Sequence, residues 1–213
     1  MESIKNTEGV GTREQKYILE IGVGNFPVYR LSEKVEERIE SGHVYIAVDK
    51  YPEGLKSGDV RNPTIADIGA LPFSDGSIHE MWLMNVFSGL DLDIYSQDEN
   101  AFMRSVLRGS AQSPEVSKRV ESIFHELGRV LDGKGEINIG EFYARIGDDL
   151  SWMRNISYSR FGMRGTIYEG ENLKIFLRQH NFEEFMLEEI ERYPERKPFF
   201  LKLTKLRDVD GVE

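Results

Sequence analysis

The sequence predicts an α/β fold built on a mostly parallel sheet. Short apolar runs alternate with helical stripes along most of the chain. The first such run leads into a glycine turn, Gly22-Val23-Gly24, and the second ends in a carboxylate, Asp49. The composition agrees with a globular core: 213 residues, 39% hydrophobic and 11% aromatic. With no cysteine, disulfides, thiolate metal sites and thiol catalysis are excluded, and no metal is expected. Acidic residues outnumber basic ones 37 to 27, a net charge of −10. That balance argues against nucleic acid as a partner, because phosphates must be neutralised by Lys and Arg. Met1 to Asn6 carry no apolar stretch, so no secretory signal is expected. No apolar run approaches the ~18 residues of a membrane helix. A cytoplasmic location with no membrane partner is expected.

The elements follow in order. Tyr17 to Ile21 is a short apolar strand. Val28, Leu31, Val35 and Ile39 share one helical face, opposite Glu33, Lys34, Glu36, Glu37, Arg38 and Glu40. Gly42 is placed to stop that helix. Val44 to Val48 is a buried strand, making a right-handed strand–helix–strand unit. Tyr51 to Pro63 reads as loop, and Thr64 to Asp67 as a short strand. Met81 to Val86 is a stronger strand. Residues 88–112 carry little signal. Ser113-Pro114 opens a helix whose stripe is Val116, Val120, Ile123, Phe124, Leu127, Val130 and Leu131. Gly133 ends it, and Glu136 to Ile139 is the next strand. Residues 141–170 are irregular and aromatic. Leu173, Phe176 and Leu177 mark a last helix. Phe182 to Ile190 and Phe199 to Leu206 read as a closing antiparallel pair.

Glycines after the first strand let the backbone turn sharply and let a ligand come close. The same residues also fit an ordinary strand-to-helix turn. Two ligand chemistries separate here. A dinucleotide needs a third glycine, so that a helix N-terminus meets the pyrophosphate. Pro27 stands at that position. Glu20 precedes the glycines at the mouth of the turn, where a carboxylate repels pyrophosphate and suits a cation. Asp49 is placed to accept from two ribose hydroxyls, or to be a solvated strand-end residue. Asp67 is placed to accept from the exocyclic amine of adenine, or to cap a loop. Asn85 falls at the carboxyl end of its strand, where open α/β sheets bind ligands.

Together these residues resemble the class I S-adenosylmethionine-dependent methyltransferases, of the small methyltransferase-11 type. Ile18-Leu19-Glu20-Ile21-Gly22-Val23-Gly24 resembles the first motif of that family. Ala47-Val48-Asp49 resembles the acidic end of its second strand. Asp67 to Ser77, with Leu71-Pro72-Phe73 and Asp75, resembles its adenine-side motif. Glu126 to Gly135 resembles the helix and turn before its fifth strand. The resemblance implies one domain over residues 1–213, with an N-terminal segment at 1–16. It implies a Rossmann-like, seven-stranded, mostly parallel sheet in the order 3-2-1-4-5-7-6, with helices on both faces. It implies S-adenosylmethionine as cofactor. Glu20, Gly22, Val23 and Gly24 border its methionine part, Asp49 and Lys50 its ribose and adenine edge, and Asp67 and Ile68 its adenine. Asn85 lies near its sulfonium. The chain departs from the family at Phe26, where glycine is common, and at His79, where aspartate is common.

The implied reaction is methyl transfer to a small-molecule or peptide acceptor, carried mainly by proximity and orientation. The rivals are a scaffold that keeps the fold without turnover and an oxidoreductase of the NAD type. The acceptor site is expected from residues 88–112, from 141–170 and from the N-terminal segment. Phe142, Tyr143, Trp152, Met153, Tyr158, Phe161, Met163 and Tyr168 form either an apolar lid or core. Arg145, Arg154, Arg160 and Arg164 meet an anionic acceptor or solvate the loop. No histidine reads as a general base: His43 and His79 fall at the wrong end of the sheet. His125 is inside a helix, and His180 ends one, where a cation favours the helix dipole.

Overall fold

The computed structural model describes residues 15–23, 27–56, 60–87, 114–142, 153–154, 156–194 and 198–206. Its strands are β1 (Tyr17–Ile21), β2 (Val44–Asp49), β3 (Pro63–Ile65), β4 (Ile78–Met84), β5 (Leu131–Glu141), β6 (Met163–Glu169) and β7 (Phe199–Lys205). They form a seven-stranded sheet in the order β3-β2-β1-β4-β5-β7-β6. β1 to β5 run parallel to one another, and β7 runs antiparallel to its neighbours β5 and β6. The expected order is therefore present, and the sheet closes on an antiparallel pair, β6 and β7, that differs from the pair of segments the sequence suggests. The α-helices are α1 (Glu33–Glu40), α2 (Pro114–Val130), α3 (Gly170–Gln179) and α4 (Glu184–Arg192).

Successive strand side chains point to opposite faces, and the core divides accordingly. On one face α2 lays Val120, Ile123, Phe124, Leu127 and Val130 against Leu19, Ile21, Val48, Leu83 and Ile139. On the other, α1, α3 and α4 bury Val35, Leu173, Phe176, Leu177 and Met186 against Ile18, Tyr45, Ala47, Trp82 and Phe200. Phe124 is the hub of the first face, with ring centroids 5.7 Å from Phe87, 5.3 Å from Tyr158 and 5.6 Å from Phe161. No helix among the described residues is long and apolar enough to cross a membrane.

Several boundaries differ from expectation. The first helical stripe splits into a 3-10 turn, Val28–Arg30, and α1. Gly42 does stop α1, with φ +104° and its N–H bonded 3.0 Å to Ile39 O. Leu131 belongs to β5, not to the helix before it: it pairs with Ile78, and its carbonyl accepts from Lys205 Nζ at 2.7 Å. The larger corrections lie near the end. Residues 184–192 are helix, not strand, and β7 pairs instead with β6, inside the segment read as irregular.

The aromatics of that segment resolve toward core. Phe142, Met153, Tyr158, Phe161 and Met163 are buried, with Tyr158 donating to Met153 O at 2.7 Å. Tyr168 is half-buried against Phe176. Arg154 pairs with Glu169 and Arg160 with Glu121. Tyr143, Arg145 and Trp152 lie outside the described residues, as do most of the N-terminal segment and all of 88–112.

Candidate active site

β1, β2 and β4 end side by side at Ile21, Asp49 and Met84. β1 is the point where the sheet reverses its winding, because it pairs with β2 on one side and with β4 on the other. Ligands of open α/β sheets bind outside the carboxyl ends of the strands at such a point.

Gly22 makes the turn there. Its φ is +73°, and a Cβ on it would stand 2.8 Å from Val86 Cγ2, so both conformation and space require glycine. Its N–H donates to Val48 O at 2.8 Å, locking the turn to β2. Val23 is buried, and Gly24 and Phe26 lie outside the described residues. Pro27 holds the chain extended before the 3-10 turn, and α1 does not begin until Glu33. With Glu33 and Glu36 in its first turn, α1 offers no seat for a pyrophosphate.

Glu20 is not at the mouth of the turn. It is fully buried beneath it, on the α1 face, where Oε2 accepts from Val28 N at 2.8 Å and from the Tyr45 hydroxyl. Oε1 has no partner. Burial pushes the carboxyl up to about 8, against the pull of the Tyr45 and Val28 bonds. At neutral pH it is mostly protonated, so it supplies a polar surface and not the fixed negative charge expected of it. Burial and the adjacent carboxyl also hold the Tyr45 phenol far above its usual range. The Tyr29 ring meets Tyr45 edge-on at 5.0 Å, and Arg61 covers Tyr29 at 4.9 Å.

Asp49 is half-buried at the end of β2. Its Oδ1 accepts from Tyr51 N at 2.9 Å, and nothing among the described residues donates to Oδ2. Lys50 is exposed and lies 5.5 Å over the Tyr51 ring. Asp67 follows β3, where Oδ1 accepts from Gly69 N at 2.7 Å and from Arg119 Nη2 at 2.5 Å. Desolvation works to raise its carboxyl, but the Arg119 and Gly69 bonds outweigh it and hold the group below the usual carboxylate range. Ile68 is buried in the α2 face, so only its backbone is placed to meet a base.

Asn85 takes a left-handed backbone, φ +55°, uncommon for a residue with a side chain. Its N–H donates to Gly140 O at 2.7 Å, and its Oδ1 accepts from Phe142 N at 2.8 Å. It therefore ties the ends of β4 and β5 together. Beside it Glu141 is fully buried and accepts from Phe87 N at 2.8 Å. Sequence reasoning missed Glu141, the acidic end of a strand in the manner of Asp49. It also missed Arg119, Glu126 and Arg129, which reach the Asp67–Gly76 segment from α2.

The histidines are committed elsewhere. His43 Nδ1 lies 2.9 Å from Arg38 O. His79 Nδ1 accepts from Tyr17 N at 3.3 Å, and its other nitrogen lies 3.8 Å from Asp132. His125 sits edge-on to Phe161. His180 does cap α3, but burial, with Lys34, Lys202 and Arg38 nearby, pushes its pKa down. It stacks on Phe176 as a favoured neutral ring, contrary to the cation expected at a helix end.

Solved structures of similar architecture decide the fold. The chain superimposes on phosphoethanolamine N-methyltransferase 2 of Haemonchus contortus, solved with phosphomonomethylethanolamine and S-adenosylhomocysteine, with a TM-score of 0.51. That match is at 12% identity and covers 93% of this chain and 50% of the other. The chain has the class I methyltransferase fold. It thus spans half the length of the Haemonchus enzyme. An S-adenosylmethionine-dependent methyltransferase of Archaeoglobus fulgidus matches at 14% identity and TM-score 0.51, over 90% of this chain and 86% of that one. Another, from Aquifex aeolicus, matches at 11% identity and TM-score 0.51, over 91% and 85%. No protein-family profile and no curated sequence matches the chain.

Proposed function

We propose that this chain binds S-adenosylmethionine and transfers its methyl group to a small-molecule or peptide acceptor. The observation that carries the reading is the glycine turn at the winding reversal of a methyltransferase-fold sheet, flanked by two carboxylates each with an open oxygen. The donor set fits this cofactor. Gly22 admits the backbone close to the ligand. Asp49 Oδ2 is open to ribose hydroxyls, and Asp67 Oδ2 to the exocyclic amine of adenine. Glu20 Oε1 is a buried polar atom without a partner beneath the methionine side of the turn. Val23 and Gly24 belong with Gly22 to the methionine part, Lys50 to the adenine edge, and the Ile68 backbone to the adenine. Asn85 fixes the ends of β4 and β5 on the sulfonium side. That the Haemonchus enzyme was solved with S-adenosylhomocysteine supports the same reading.

When bound, the cofactor supplies the electrophilic methyl group. The chain contributes orientation, and proximity alone accounts for much of such a rate. No described histidine contacts the residues assigned to the cofactor, so an acceptor whose nucleophile attacks without losing a proton first suits the site. The same commitment of the histidines is what favours the scaffold as second reading.

Calorimetry with S-adenosylmethionine and with NAD tests the proposal. Heat is expected with the first and none with the second; the reverse overturns it. Asp49→Ala removes a ribose partner and is expected to weaken binding about tenfold. Equal affinity would mean the ribose lies elsewhere. Labelled methyl transfer to a cell extract separates enzyme from scaffold, since only the enzyme leaves label on an acceptor.

A further inference from the structure

Six hydrogen bonds run between α2 and the segment from Asp67 to Gly76. Glu126 Oε1 accepts from Leu71 N at 2.7 Å. Arg129 donates to Leu71 O at 3.1 Å, Phe73 O at 2.9 Å and Asp75 Oδ1 at 2.6 Å, and its carbonyl accepts from Gly76 N at 2.9 Å. Four of these hold the backbone path, and the fifth holds the Asp75 side chain at its far end. The sixth, from Arg119 Nη2 to Asp67 Oδ1, holds a side chain.

Three facts set that sixth bond apart. Gly69 N and Arg119 both donate to Oδ1, so Oδ2 is left with no donor among the described residues. The guanidinium lies close to Gly69: a Cβ there would stand 2.5 Å from Arg119 Nη1 and 3.2 Å from Asp67 Oδ1. Both partners are also about one-third exposed, 33% and 34%, and a pair so exposed adds little to stability. Its geometric effect is the larger one, because two donors on one oxygen fix the plane of the carboxylate and the direction of the other.

We propose that Arg119 is a positioning residue that, from α2, aims Asp67 Oδ2 at the exocyclic amine of the adenine base. This rests on the role given to Asp67 above. Arg119 carries donors only, so it cannot receive the amine itself and acts through the carboxylate. Base recognition is thereby set by a helix 52 residues away in sequence from the strand end it serves. Gly69 leaves the space the guanidinium fills, and a Cβ there would displace it.

The test compares S-adenosylhomocysteine with the same molecule carrying unsubstituted purine, which lacks the amine. Wild type is expected to prefer the adenine form about tenfold or more, as for a hydrogen bond to a charged acceptor. Arg119→Gln is expected to lose most of that preference, and Arg119→Lys to keep part of it. Gly69→Ala, which pushes the guanidinium aside, is the second variant should Arg119→Gln not fold; it must cut the same preference. Arg129→Gln is the control that lowers Tm and leaves the preference intact. Full preference in Arg119→Gln or Gly69→Ala overturns the role of Arg119 and leaves cofactor binding standing. A wild type that binds both ligands equally overturns it by removing Asp67 as the partner of the amine. A wild type that binds neither overturns the proposed function and this inference with it.

Discussion

Glu20 and Asp67 are carboxyl groups of one candidate site, on opposite faces of one sheet, and they titrate in opposite directions. Glu20 lies under the α1 face with one phenol and one amide as donors, and burial pushes it up to about 8. Asp67 lies at the α2 face, about one-third exposed, beside a guanidinium that holds it low. The difference shows that residue type does not fix the charge of such a site. Depth and the nature of the partner fix it. At neutral pH the cationic end of a ligand would meet a neutral acid at Glu20, while Asp67 keeps its charge beside an arginine.

The comparison breaks most severely when one face loses its packing. Phe124→Ala empties the hub of the α2 face and is expected to cost about 4 kcal/mol. The fall in Tm should come with loss of ligand binding if α2 is what holds the Asp67 side. Binding retained in the folded fraction would uncouple them.

Glu20→Gln sharpens the other side. In the unfolded chain Glu20 ionises near 4.5, and in the folded protein at about 8. Between those values the unfolded state releases a proton that the folded state keeps. The wild type therefore loses stability as pH rises through this window, and the loss is complete above it. Glutamine cannot ionise, so the variant gains on the wild type with rising pH, by about 5 kcal/mol across the window. Denaturant titrations at pH 4 and pH 9 measure this. Equal pH slopes for the two proteins would mean that Glu20 is charged in the folded state. A smaller effect is expected from Arg129→Gln, about 1 kcal/mol, because its bonds are partly exposed. Its signature is faster hydrogen exchange at Leu71 and Gly76, whose amides bond Glu126 and the Arg129 carbonyl.

The parallel half of the sheet was legible because its signals are local. Tyr17 to Ile21 and Val44 to Val48 are near-continuous apolar runs, as strands buried on both faces must be. Gly22 and Asp49 declare themselves by type at the ends of those runs. β6 was hidden because it is an edge strand: Arg164, Gly165 and Thr166 are all exposed, so no alternation survives. Phe182 to Ile190 reads as a strand in sequence, yet its apolar run Phe185-Met186-Leu187 is one that either period fits. The structure buries Met186 and half-buries Leu187 and Ile190, which is helical spacing. The depth of Glu20 and the reach of Arg119 were not legible at all. Both depend on partners brought close by folding, Tyr45 across a strand and Asp67 across 52 residues.

β6 touches the sheet only through β7. Of all the strands, β7 is the last to leave a ribosome, yet it must insert between two that are already made. Until residues 199–205 emerge, the outer edge of β5 is an open row of unpaired amides and carbonyls, and β6 has nowhere to dock. The nascent chain can assemble its parallel strands early, but its sheet closes only after residues 199–205 have emerged. That delay makes the β5 edge the place where a stalled or shortened chain would stick to another.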